Sequence, residues 1–149
     1  MSETIGFLLN DTARMFRRAY NARTRDSGIT ALQSRVLSYL ARYPGIRQGP
    51  LAELIEVEPI TLSRMIDRLE ESSLVERRAD PTDRRAWQLH LTASAEPLLD
   101  TLRETARDVV AEATDGLSDV ERDELTRLVE RVRANLSRRI CQKDQKETA

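Results

Sequence analysis

The sequence predicts a mainly α-helical chain with one small antiparallel β-hairpin. Apolar residues recur at helical spacing over most of its length, and the few glycines and prolines fall between those runs. A single stretch, "WQLHL" at 87–91, alternates as a half-buried strand does. It follows "LVERRADPTDRRA", whose Asp80, Pro81, Thr82 and Asp83 form turns readily.

Whole-chain numbers bound the function. At 149 residues the chain suits a single domain with one core. A third of it is charged (33%), yet the formal net charge is -1, so any case for nucleic acid must rest on local patterning. A lone cysteine, Cys141, excludes an internal disulfide and fits a reducing cytoplasm. No segment resembles a signal peptide or a membrane span, so a soluble cytoplasmic protein is expected. His90 and Cys141 do not make a zinc site, and no glycine-rich phosphate loop or nucleophile elbow occurs. No enzyme, cofactor or metal is therefore expected.

The elements follow in order. A first helix over about 3–25 carries Ile5, Leu8, Leu9, Thr12, Met15, Phe16, Ala19 and Tyr20 on one face, with Ser2 to cap it and Gly28 after its end. A second starts near Thr30, sets Leu32, Val36, Leu37 and Leu40 inward, and stops at Pro44-Gly45. A short third helix, "PLAELIEV", begins at Pro50 with Leu51, Leu54 and Ile55 inside. Pro59 starts a fourth, with Leu62, Met65, Ile66 and Leu69 inside. A short helix, a tight break and a longer helix form the pattern of a helix-turn-helix.

The outward face of the fourth helix reads Thr61, Ser63, Arg64, Asp67 and Arg68. Hydroxyls and guanidinium groups near a helix N-terminus can meet base edges or phosphates in a major groove. An ordinary solvated polar face would read the same way. The hairpin favours the first reading, because it directly follows this helix and so becomes a wing. After it, a long helix carries Leu98, Leu99, Leu102, Ala106, Val109, Val110 and Ala113, and Gly116 ends it. "SDVE" then offers a capping box between Ser118 and Glu121. The last helix carries Leu125, Leu128, Val129, Val132, Leu136 and Ile140, an apolar stripe that one winged domain cannot easily cover along with the first helix. Dimerisation through the terminal helices is expected, with a frayed tail at 141–149.

With these stretches in hand, the chain resembles the MarR (multiple antibiotic resistance regulator) family of winged helix-turn-helix transcription factors. The resemblance spans "ITALQSRVLSYL", "LAELIEVEPITLSRMIDRLEESSLVERRADPTDRRAWQLHLT" and "LSDVERDELTRLVERVRANL". Its most specific part is Asp83-Arg84-Arg85-Ala86 with Leu91-Thr92, similar to that family's Asp-x-Arg wing tip. The resemblance implies that Arg85 enters a minor groove and that Asp83 orients it, while Arg84, Arg77 and Arg78 pass phosphates. The organisation implied is a winged part at about 30–92 and dimerisation helices at about 1–25 and 94–140. Ser73 and Ala95 stand where the family often has glycine, and Pro97 suits a helix capped by Ser94 better than one capped by Thr92.

The function expected is a sequence-specific double-stranded-DNA-binding regulator, a repressor released by a small aromatic or phenolic ligand. A homodimer would match a pseudo-palindromic operator with half-sites about 34 Å apart. The resemblance also implies an effector cleft, which Phe16, Arg17, Arg18, Tyr20, Tyr39 and Arg42 could line; equally, these aromatics are core and the arginines solvated. Peroxide sensing through an N-terminal cysteine is not expected, since Cys141 is the sole cysteine, nor is urate sensing, since the first helix lacks a tryptophan. The rival reading is a dimerisation or antirepressor module that acts through protein contacts alone.

Overall fold

In the computed structural model, which describes residues 2–147 and the side chains of residues 4–137, the elements run α1 (Ser2–Thr24), α2 (Ala31–Arg42), α3 (Gln48–Ile55), α4 (Pro59–Glu71), β1 (Val75–Ala79), β2 (Trp87–Leu91), α5 (Glu96–Ala113) and α6 (Asp119–Glu147). The fold is mainly helical, with one two-stranded antiparallel hairpin, as expected. The chain divides into two compact units, residues 1–110 and 111–149.

The first unit is built on one apolar core. It takes Val36, Leu37 and Leu40 from α2, Leu51, Ala52 and Ile55 from α3, and Leu62, Ile66 and Leu69 from α4. Val75 and Leu89 come from the hairpin, and Ala95, Leu99 and Leu102 close the far side. Burying each such Leu or Ile contributes about 1.5–3 kcal/mol relative to leaving it exposed. Thr30 caps α2 through a reciprocal box, its hydroxyl accepting from the Gln33 N–H at 3.1 Å and the Gln33 side chain accepting from the Thr30 N–H at 2.8 Å.

Several expectations are corrected. The helix α3 starts at Gln48, two residues before Pro50, which still lies in the tolerated first turn. Leu54 is not core: it is 44% exposed, and the smaller Ala52 takes the inward place. In α5, Val110 and Ala113 are exposed and not inside. Neither capping alternative for α5 holds. A single 3-10 turn over Ala93–Ala95 precedes the helix, so Pro97 is its second residue, where its missing N–H has no partner to lose. Ser2 is the first residue of α1, and its side chain lies outside the described residues.

The turn from α4 into β1 is tight. Leu74 N–H reaches back to the Leu69 carbonyl at 2.9 Å and Ser73 N–H to that of Glu70 at 2.9 Å. This closure requires a left-handed residue, and Ser73 adopts it with φ 58°. The hydroxyl of Thr92 donates to the Ser73 carbonyl, while Thr92 N–H donates to that of Leu74 at 3.1 Å. The hairpin base is thus stitched to the end of α4.

In the second unit, Gly116 takes φ 81° and α6 starts from the expected box. Ser118 N–H donates to Glu121 Oε2 at 2.8 Å and Glu121 N–H to Ser118 Oγ at 3.3 Å. The Ser118 backbone N–H, and after it the Ser118 hydroxyl, hold the Glu121 carboxyl below its ordinary pKa. Leu125, Leu128, Val129, Val132 and Leu136 are all exposed along α6. The backbone is helical to Glu147, seven residues beyond the end expected at 140. The side chains of Ile140 and Cys141 lie outside the described residues.

Candidate nucleic-acid interface

The turn between α3 and α4 is made by Glu56, Val57 and Glu58. Glu56 takes a left-handed φ of 55°, and Val57 N–H closes back on the Ala52 carbonyl at 3.1 Å. The Arg35 guanidinium donates to the Ile55 carbonyl at 2.8 Å and satisfies the end of α3. Pro59, the first residue of α4, has the fixed φ that a helix start needs.

With Leu62, Ile66 and Leu69 buried, helical geometry of about 100° per residue puts Ile60, Arg64 and Asp67 at the centre of the opposite face. Thr61 and Arg68 are exposed along one flank; Ser63 lies on the other flank and is half-buried. Ile60 is 63% exposed and was not among the residues read from the sequence. Its periodic position suggested nothing, because one exposed isoleucine in a polar face carries no pattern.

The hairpin pairs Val75 with Leu91, Glu76 with His90, Arg77 with Leu89, Arg78 with Gln88 and Ala79 with Trp87. At its tip, Asp80 N–H donates to the Ala86 carbonyl and Ala86 N–H to the Asp83 carbonyl, each at 3.1 Å. Asp80 Oδ1 accepts from the Thr82 N–H at 2.8 Å and from the Thr82 hydroxyl at 2.7 Å. Asp83 Oδ1 accepts from the Arg85 N–H at 3.0 Å. What Asp83 holds is therefore the backbone of Arg85; its second oxygen lies 3.8 Å from a guanidinium nitrogen of Arg47.

Arg47 is a site residue that sequence reasoning missed. Its Nε and Nη2 stand 2.9 and 2.8 Å from Asp80 Oδ2. The Thr82 hydroxyl, the Thr82 N–H and then Arg47 hold the Asp80 carboxyl well below the usual carboxylate range. Arg47 lies 33 positions before its partner, just ahead of a helix, and no local motif connects them.

The arginines expected along the wing divide into two groups. Arg77 is engaged by α4: its guanidinium meets Asp67 at 2.6 Å and also Glu70, and its N–H donates to Glu70 at 3.3 Å. Arg78 is paired with Glu76 beside it on the same strand. Among the described residues, Arg64, Arg68, Arg84 and Arg85 have no carboxylate at ion-pairing distance. The helix face and the hairpin tip thus each present unneutralised guanidinium groups.

The residues suggested for an effector cleft divide too. Tyr20 and Tyr39 pack on the core, with the Tyr20 hydroxyl 3.0 Å from Ser34 Oγ and Tyr39 stacked on Tyr43 at 6.2 Å. Phe16 is half-buried, whereas Arg17 and Arg42 are exposed. A shallow depression on α1 is lined by Arg14, Met15, Arg18, Ala19 and Ala22, and of the suggested residues only Arg18 touches it. Among the described residues, no group of three or more His, Cys, Asp or Glu is placed to hold a metal, and no helix is long and apolar enough to cross a membrane.

A helix-turn-helix whose second helix runs straight into an arginine-tipped hairpin defines a winged-helix transcriptional regulator. The MarR family profile matches residues 29–87. The transcriptional regulator PA3341, known from a crystal structure, is 32% identical, with 90% of this chain and 98% of that one covered and a TM-score of 0.78. A MarR transcriptional regulator from Methanosarcina mazei is 25% identical over 91% of this chain and 98% of its own, with a TM-score of 0.79. A mutant MarR from E. coli, crystallised with operator DNA, is 27% identical over 87% of this chain and 93% of its own, with a TM-score of 0.68. The chain belongs to the MarR family of transcriptional regulators.

Proposed function

We propose that this chain is a homodimeric, cytoplasmic repressor that binds a pseudo-palindromic double-stranded operator and leaves it when a small aromatic or phenolic acid binds. The observation that carries the reading is the pair of unneutralised guanidinium groups, Arg84 and Arg85, at a hairpin tip continuous with the exposed face of α4. A narrow minor groove concentrates negative potential, and Arg85 meets it there. Asp83 acts through the Arg85 backbone, which it fixes.

Thr61, Ser63, Arg64 and Arg68 read the major groove, where base identity is displayed. Ile60 joins them, since an exposed apolar group discriminates through a thymine methyl. Arg84 and Arg78 meet phosphates, and Arg77 serves to hold the wing to the helix. Support for the DNA partner comes from the E. coli MarR crystallised with operator DNA. Support for the homodimer comes from Ile5, Phe7, Leu8, Leu9 and Met15 of α1 and the apolar stripe of α6, all exposed in one chain. Phe16, Arg17, Tyr20, Tyr39 and Arg42 are assigned to the effector, the aromatics for its ring and the arginines for its carboxylate.

The test is a titration of the protein against the DNA upstream of its own coding region, over a series of salt concentrations. Arg85→Ala should weaken binding on every sequence and lower the salt slope by about one unit per lost contact per subunit. The loss should be larger where the flanks are A·T-rich. Ser63→Ala or Arg64→Ala should instead change which bases are preferred, by about 1–3 kcal/mol for each good base contact. Wild-type affinity and salt dependence in a folded Arg85→Ala protein would reduce the wing to a charged hairpin. No binding by the wild type would favour a module acting through protein contacts.

A further inference from the structure

We infer that Arg47 is the positioning residue of the wing: it ties both tip aspartates to the body of the domain and so fixes where Arg85 is presented. The functional half of this inference rests on the DNA-binding reading above; the structural half does not.

The backbone of Arg47 is itself anchored. It forms a one-residue antiparallel bridge with Gln88, on the edge of β2 that β1 leaves open. Gly45 N–H donates to the Leu89 carbonyl at 2.9 Å, and Leu89 N–H donates to that of Ile46 at 3.0 Å. Glycine is needed here for its backbone: Gly45 takes φ 82°, a conformation that L side chains rarely adopt, while the Gln88 and His90 side chains pack beside it. The start of the Arg47 side chain is therefore set against the hairpin, not left on a free loop.

From that anchor, one guanidinium faces two carboxylates, each of which uses its other oxygen to shape the tip. Asp80 holds Thr82 with Oδ1 and meets Arg47 with Oδ2. Asp83 holds the Arg85 N–H with Oδ1 and turns Oδ2 toward Arg47. The Asp80 side chain is only 5% exposed, and Arg47 both covers it and supplies the cation beside it. Without that cation, two like charges would stand close together on one short turn. With Arg47 counted, the tip carries one more cation than anion; without it, the charges of Asp80, Asp83, Arg84 and Arg85 cancel. The side chain of Arg47 is 43% exposed, so a direct phosphate contact is the competing role to be separated.

Two measurements on the full chain decide the matter. The first is 15N relaxation of the tip amides without DNA. In the wild type, Thr82 and Arg85 should have order parameters near the rigid value of about 0.85, and Arg47→Ala should drop both below about 0.6 while α4 is unchanged. Unchanged Thr82 and Arg85 amides would overturn the inference. The second is a double-mutant cycle on a fluorescent duplex of the upstream DNA. Arg47→Ala should weaken binding by about tenfold when Arg85 is present and by less than about twofold in an Arg85→Ala background. Equal losses in both backgrounds would make Arg47 a plain phosphate contact and overturn the positioning role. If the wild type binds no duplex, the DNA reading falls while the relaxation result still decides whether Arg47 holds the tip. Arg47→Met, which keeps the aliphatic stem but neither the charge nor the donors, replaces Arg47→Ala if the latter fails to fold, with the same outcomes.

Discussion

At the scale of single residues, Asp80 has the clearest consequence. Its hydrogen bonds from Thr82 and Arg47 all favour the ionised form, so its pKa is lower in the folded chain than in the unfolded one. A depressed carboxylate stabilises fully above its unfolded value, about 4, and that contribution is lost as pH falls toward the folded value. The stability advantage of wild type over Asp80→Asn, from urea melts, should therefore be constant between about pH 7 and 5 and shrink by pH 3. An advantage that grew in acid would show that the carboxylate is not favoured by the fold. What the sequence revealed at this scale followed distance along the chain. The relation of Asp83 to Arg85 came from the resemblance of the wing tip, which a two-residue spacing on a local hairpin preserves, and the contact that joins them is to the Arg85 backbone. The partners of Arg77, on the preceding helix, and of Arg47, on a turn 33 residues later, arise from packing, which periodicity does not encode.

Among elements, helix and strand type followed from periodicity, while boundaries and facing depended on neighbours. The third helix shows why. In an element of only eight residues, a one-position change in facing exchanges Leu54 for Ala52, and leucine's greater hydrophobicity does not decide it. The turn after α4 shows the opposite case, where one residue decides the geometry. Ser73 sits at φ 58°, a conformation that costs an L-residue about 1–2 kcal/mol. Glycine removes that cost but gains freedom in the unfolded chain worth about 0.4–1 kcal/mol. Ser73→Gly should thus stabilise by about 0.5–1 kcal/mol and raise the melting temperature by about 1–4 °C. A lower melting temperature would mean that the serine side chain contributes to the turn.

At the scale of the whole molecule, the apolar surface is the main unspent resource. Phe7 is 68% exposed on α1, with Ile5, Leu8, Leu9 and Met15 beside it, and α6 exposes a stripe of its own. Exposed apolar area of this extent on a single chain is a mark of association. We expect light scattering to give twice the monomer mass at low micromolar concentration, and Leu8→Glu combined with Leu128→Glu to give monomer or aggregate. A folded, stable wild-type monomer would remove the twofold symmetry from the proposed operator as well as from the protein. The net charge of -1 gave no hint of a polyanionic partner, because a sum over the whole chain does not register which arginines of α4 and the hairpin tip lack a carboxylate partner.

The bracket that Arg77 forms with Asp67 and Glu70 has a consequence for how such a protein measures a duplex. It joins the first strand of the hairpin to the outward side of α4, and the stitches from Thr92 to the turn at Ser73 and Leu74 close the same joint from below. Helix face and hairpin tip then form a caliper with fixed jaws. In the binding mode proposed above, the distance between a helix lying in one groove and a guanidinium entering the next would be set by the protein, so a duplex would have to bring its own twist into phase with that gap. A stretch wound slightly too tightly or too loosely would then present the right bases at the wrong angle and be rejected without any touch on the base pairs in between.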